Sequence, residues 1–167
     1  PGVLHRPEAL RKDTEIVIEG YPRSGNSFAF TAFDLAQGEV PVRVAHHLHT
    51  SSVVVAAIKA KIPTLVLVRN TEDAIISHII YSQNLTIRQC LNSYIDCYAP
   101  LLKYKDEFIT AKFEEVISDF GEITQRINQK FSTAFCEFDH CQDNVDRCFH
   151  VLENSWKDLG MKEQKAV

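Results

Sequence analysis

The alternation of apolar and polar positions divides the chain into strands and helices in turn. Thr14 to Glu19 (TEIVIE) is β-branched and apolar and runs straight into Gly20-Tyr21-Pro22, the pattern of a strand that ends in a turn. Beyond Gly25, apolar residues fall at Phe28, Ala29, Ala32, Phe33, Leu35 and Ala36. They mark one face of a helix at 3.6-residue spacing that closes near Gly38. A second strand is expected over Pro41 to Ala45, then a histidine-bearing loop and a helix over Ser52 to Lys61. Pro63 to Val68 is continuously apolar after its first two residues, as expected of a strand covered on both faces of a parallel sheet.

Thr71 is placed to cap the next helix, with Glu72 and Asp73 suiting its first turn, and that helix is expected to reach about Ser82. A longer helix is predicted from Thr86 to Lys103, a fourth strand from Phe108 to Phe113, and helices over Phe120 to Phe131 and Val145 to Leu159. The first 13 residues read as a lead-in arm. Strands alternating with helices predict a three-layer α/β/α domain with a mainly parallel central sheet, whose ligands bind at the carboxyl ends of the strands.

Composition narrows this. With 167 residues and 45% hydrophobic content the chain is expected to form one domain over 1–167. A net charge of −4 lacks the basic excess that a nucleic acid or an anionic membrane favours, so neither is expected as a partner and any bound anion must be held locally. The longest apolar stretch, Ile62 to Val68, is too short to cross a bilayer. With Pro1 in place of Met as its first residue, a trimmed or processed chain is one reading. Five cysteines (Cys90, Cys97, Cys136, Cys141, Cys148) without paired CxxC spacing argue against a zinc site and a full disulfide framework. Reduced thiols and a cytoplasmic location are expected; the lumen of the secretory pathway is the alternative, in which Cys136 and Cys141 are close enough in sequence to pair.

Two segments carry anion chemistry. In Gly20 to Phe28 (GYPRSGNSF) a strand meets a helix N-terminus, where unpaired N–H groups and the positive dipole end converge. Gly25 allows close backbone approach, Ser24 and Ser27 offer hydroxyls, and Arg23 supplies a forked cation suited to phosphate or sulfonate oxygens. The plainer alternative is an ordinary turn with a solvated arginine and serine caps. The GxxxxGK[ST] pattern is missing, which disfavours an ordinary ATPase or GTPase. The second segment begins with Arg69 at a strand end and reaches Ser77 two helical turns on; taken singly, Arg69 could pair with Asp73 or Glu72 and Ser77 could be neutral.

Tyr21 to Phe28 resembles the 5′-phosphosulfate loop of PAPS-dependent sulfotransferases, which reads approximately YPKSGTTW or PRSGNT. Arg69 to Ser77 (RNTEDAIIS) is similar to that family's 3′-phosphate motif RNPxDxxxS, with Thr71 where Pro is usual. The resemblance covers roughly 14–132. It implies the P-loop-like sulfotransferase fold, a PAPS-dependent sulfotransferase acting on a small-molecule or glycan hydroxyl or amine acceptor, and no metal. It assigns the nucleotide to Arg23, Ser24, Gly25, Asn26, Ser27, Phe28, Arg69 and Ser77, with Phe28 stacking on adenine.

The family's base histidine lies in a KTHLP-like stretch; aligning Leu48 with its Leu selects His47 as the catalytic base, with His46 and His49 as alternatives and Ala45 where the family has lysine. A metal site or core histidines are the other readings of the three-histidine cluster. Arg23 replaces the family's lysine and so acts by electrostatics alone. Phe113 to Asp119 resembles YEDLxxDP, with Phe113 in place of the tyrosine. No KGxxGxW-like segment follows, and no acceptor-binding insertion separates the first helix from the second strand. A nucleotide-binding protein of this fold without transfer activity, and a P-loop kinase-like phosphotransferase, are the two competing functions.

Overall fold

The structure, a computed structural model, describes residues 8–158. Four strands, β1 (Ile16–Gly20), β2 (Val44–His46), β3 (Thr64–Val68) and β4 (Ile109–Lys112), form one parallel sheet in the order β2-β1-β3-β4. The sheet is parallel because each connection between strands is long enough to cross over. Helices α1 (Asn26–Gln37), α2 (Ser51–Lys59), α3 (Thr71–Tyr81), α4 (Ile87–Tyr98), α5 (Phe113–Ser118), α6 (Phe120–Phe131) and α7 (Gln142–Asp158) fill those connections and close the chain. The expected α/β architecture is therefore the one observed.

Side chains alternate across a strand, and the two faces of the central strands are buried in separate clusters. Ile16 and Ile18 of β1 and Leu65 and Leu67 of β3 pack with Phe33 of α1, Ile123 and Ile127 of α6 and Cys148 of α7. On the other face Val66 meets Val54 and Leu101, and Val17 meets Ala45 and Ala57. Burial on both faces explains the unbroken apolar run in β3. Each such side chain contributes about 1.5–3 kcal/mol when removed from water.

The connection after β1 leads to β2 on one side, while the chain after β3 leads to β4 on the other. The direction thus reverses between neighbours β1 and β3, and a crevice opens at their carboxyl ends. Gly20 lines the closest approach there: a Cβ on it would stand 2.5 Å from the Leu67 carbonyl oxygen.

Several boundaries differ from expectation for local reasons. The helix predicted over 86–103 ends at Tyr98 and continues as a 3₁₀ turn, Ala99–Tyr104, because Pro100 cannot donate the next helical hydrogen bond. Asn70, and not Thr71, caps α3: its side chain accepts from the N–H groups of Glu72 and Asp73. Phe113 leaves the strand and opens the unforeseen α5, where Glu115 Oε2 accepts from the Lys112 N–H at 2.6 Å. β2 starts at Val44 and includes His46, so His46 is a strand residue and not part of the loop. The described end of the lead-in arm pairs with this strand, Glu8 and His46 exchanging two backbone bonds of 3.1 Å; residues 1–7 of the arm and the Leu159 end of the last helix lie outside the described residues. All five cysteines are free thiols, Cys90, Cys97 and Cys148 buried, Cys136 and Cys141 exposed.

Candidate functional site

The turn from Tyr21 to Gly25 hangs between the end of β1 and the start of α1. Two residues in it take left-handed backbone, Arg23 (φ 69°) and Gly25 (φ 89°). Glycine adopts that conformation freely, and a Cβ at position 25 would also press on the Phe113 ring at 3.3 Å. The turn is braced from below: Asn26 Nδ2 donates to the Tyr21 carbonyl at 2.9 Å, and Ser24 N donates to the same oxygen at 3.2 Å. The first N–H groups of α1 have no partner within the helix and point their dipoles at this turn.

Arg69 and Ser77 come to the same place from the other side of the crevice. Arg23 Nε donates to Ser77 Oγ at 3.0 Å, and Arg69 Nη1 donates to the Arg23 carbonyl at 3.1 Å. The Arg69 guanidinium lies 4.2 Å above the Phe113 ring, and that of Arg23 lies 5.2 Å from the Tyr81 ring centre. Among the described residues neither arginine joins an ion pair; the three salt bridges involve Arg43 and Arg126. The alternative partners Asp73 and Glu72 do not take Arg69. Burial makes the Arg23 cation harder to keep, and Arg69 nearby adds to this while Tyr81 opposes it. Two adjacent cations with no carboxylate between them are a site of uncompensated positive charge.

The histidine turn forms the third wall. His47 Nε2 lies 3.1 Å from Ser27 Oγ, and its Nδ1 lies 2.6 Å from His46 Nδ1, so one of those two nitrogens carries a proton and the other accepts it. His46 is 3% exposed and stacks on Phe30 with ring centres 3.9 Å apart. His49 Nδ1 donates to the Gly20 carbonyl at 2.7 Å; burial holds this imidazole below its usual range, with the Gly20 bond acting the other way. Among the described residues no group of three or more His, Cys, Asp or Glu side chains is arranged to hold a metal ion.

Arg23, Gly25, Ser27, Arg69, Ser77 and His47 thus share one rim, with Ser24 and Asn26 buried beneath it. Phe28 does not. Its ring is 7% exposed and turns into the core against Phe138, His140 and Phe149, because position 28 lies on the face of α1 that α7 covers. The ring expected to stack on adenine is a packing residue here. Phe113 stands nearer the site, beneath Arg69.

Sequence reading missed the tyrosines that tie the crevice together. Tyr98 Oη donates to the Leu67 carbonyl at 2.6 Å and accepts from Tyr21 N at 3.0 Å, clamping the ends of β1 and β3. One turn earlier on α4, Tyr94 Oη donates to the Arg69 carbonyl at 2.9 Å. Tyr21 Oη donates to the Cys90 carbonyl, so at 2.8 Å His78 Nδ1 is the donor to it. Burial, then His49 and Arg23, hold the His78 imidazole below its ordinary range. Beyond Tyr21 at the head of the loop, the sequence signal for this network was a pair of tyrosines four residues apart on one helix.

No family model matches the chain, and no curated protein does. In structure it is similar to mouse sulfotransferase SULT7A1 complexed with PAP, at a TM-score of 0.55 and 14% identity, over 95% of this chain and 69% of that one. At that identity the likeness establishes the fold, and the fold is that of sulfotransferases. No helix among the described residues is long and apolar enough to cross a membrane.

Proposed function

We propose that this chain binds PAPS and transfers its sulfuryl group to a hydroxyl or amine acceptor. The observation that carries the proposal is the junction of the two anion motifs. Arg23 of the first loop donates to Ser77 of the second, and Arg69 of the second donates to the first loop's backbone. A nucleotide with phosphate groups at both its 5′ and 3′ positions fits such a pair, because among the described residues neither cation has a carboxylate partner and an ionised oxygen would supply one. The mouse protein of the same fold was solved with PAP, which has that charge distribution.

The nucleotide's 5′-phosphosulfate would rest on Arg23 to Ser27 and its 3′-phosphate on Arg69 and Ser77. In the transfer a bond forms from the acceptor oxygen or nitrogen to sulfur, and the bond from sulfur to the bridging oxygen breaks. The electron pair leaves on the 5′-phosphate, beside Arg23 and the N-terminus of α1. The acceptor's proton goes to His47 Nε2. For this His47 must carry its own proton on Nδ1, donated to His46, which the 2.6 Å separation allows. Arg23 cannot lose a proton at ordinary pH and acts through charge alone.

Binding is tested by comparing the thermal stabilisation given by PAP and by ATP with Mg²⁺, since a ligand that binds only the folded state raises its stability by mass action. PAP is expected to stabilise and ATP not to; the reverse result sinks the proposal. Labelled PAPS with a panel of phenolic, alcoholic, amine and glycan acceptors then separates transfer from binding without transfer.

A further inference from the structure

Glu19 is the one carboxylate buried in the central strand, 2% exposed between Ile18 and Gly20. An ionised group in such a place is costly unless its oxygens are bonded. Both are. Oε1 accepts from the Leu48 N–H at 2.8 Å, and Oε2 accepts from the His49 N–H at 2.9 Å. These amides belong to the turn that follows β2, where His47 (φ 60°) and His49 (φ 53°) both adopt left-handed backbone. Residues other than glycine hold that conformation only where their surroundings enforce it.

We infer that Glu19 is a positioning residue: its carboxylate pins the histidine turn to the end of β1, and so sets His47 Nε2 against Ser27 in the anion loop. The inference rests on the proposed function for its catalytic meaning, but the anchoring itself stands on geometry. The group that faces Glu19 from α4 is Cys97, whose thiol burial pushes up to about 12 and thus keeps uncharged. From the turn it is met by His49, behind which stands His78 of α3. No arginine or lysine forms an ion pair with it among the described residues. The two amide bonds are its compensation. Burial nevertheless pushes its carboxyl up to about 7, against the opposing pull of the Leu48, His49 and Gly20 backbone bonds. Once protonated, one oxygen becomes a hydroxyl, a weaker acceptor than a carboxylate oxygen, so one of the two amide bonds weakens and the turn is held less firmly.

The test uses the isotopically labelled full chain and Glu19→Gln. In the unmodified protein the Leu48 and His49 amide protons are expected to titrate together with one midpoint near 7. In Glu19→Gln that step vanishes and the His47 ring nitrogens change shift. With PAPS and an accepting substrate, kcat falls about 10–100-fold through misplacement of the base, the acidic limb of the pH profile moves, and PAP affinity is unchanged. An unchanged His47 ring and pH profile in the variant overturns the inference, and so does a loss of PAP affinity as large as the loss in kcat. If Glu19→Gln does not fold, the titration of the unmodified protein decides, and separate midpoints for Leu48 and His49 overturn it. If no acceptor is sulfated, the proposed function falls while the amide and ring resonances still decide whether Glu19 anchors the turn.

Discussion

The anion loop over 21–27 and the histidine turn over 46–49 face each other across Ser27, yet they are built in opposite ways. The loop is made largely from its own residues: Gly25 supplies the left-handed bend, Asn26 and Ser24 bond back to Tyr21, and the helix that follows supplies the dipole. The turn is made by others. Its backbone is held by Glu19, its His49 ring by Gly20, and its His47 ring by Ser27 and His46. A binding surface that needs only donors and positive charge can be encoded locally, whereas a base that must aim one nitrogen at one point needs supports from several elements.

The largest expected effect separates the two regions. His47→Ala should lower turnover roughly 10²–10⁴-fold, the usual contribution of a positioned general base, while PAP affinity measured by calorimetry stays as it was. An equal loss in both would join the regions into one binding unit and break the comparison.

Stability against pH probes the turn next. The Glu19 carboxyl sits at about 7 in the folded protein against an ordinary 4.5, so the folded state keeps that proton longer than the unfolded state does. Its contribution is complete below 4.5 and is lost as pH rises through about 7. The loss is about 3 kcal/mol, measurable as a fall in unfolding free energy by denaturant titration. Glu19→Gln should remove this slope, and a slope that persists in the variant belongs to another group.

Arg23→Ala acts on the loop. Hydrogen bonds to charged groups contribute about 1.5–3 kcal/mol each, so PAP affinity should fall roughly 10–100-fold, with turnover following it. Unchanged PAP affinity would remove Arg23 from the site. The smallest effect is expected from Gly25→Ala, where a left-handed backbone costs an L-residue about 1–2 kcal/mol. A melting temperature lower by roughly 2–8 °C is expected, with weakened PAP binding; an unaltered melting temperature would show that the bend is not strained by a side chain.

The sequence carried the features that depend on neighbours along the chain. The central strands β1 and β3 were legible because burial on both faces forces apolar runs, and the residues proposed to hold anions stood out because a strand-to-helix turn has its own residue code. Where a local rule had a local exception it was missed: Pro100 ended a helix that the periodicity continued, and Asn70 took the cap assigned to Thr71. Phe28 shows the other kind of failure. Its spacing fits both a core face and a ligand-facing ring, and only the packing of α7 on α1 selects the core.

Thus the order of elements, the parallel sheet and the two segments proposed to grip phosphates follow from the amino-acid sequence itself, since each is written in periodicity or in turn chemistry within a few residues. The contact of Arg23 with Ser77, the tyrosine clamp from α4 and the attachment of the histidine turn to Glu19 were decided by the tertiary structure. Those partners lie 54, 31 and 29 residues apart, and a hydrogen bond between them has no period to betray it. It exists only once the sheet order has brought the strand ends together.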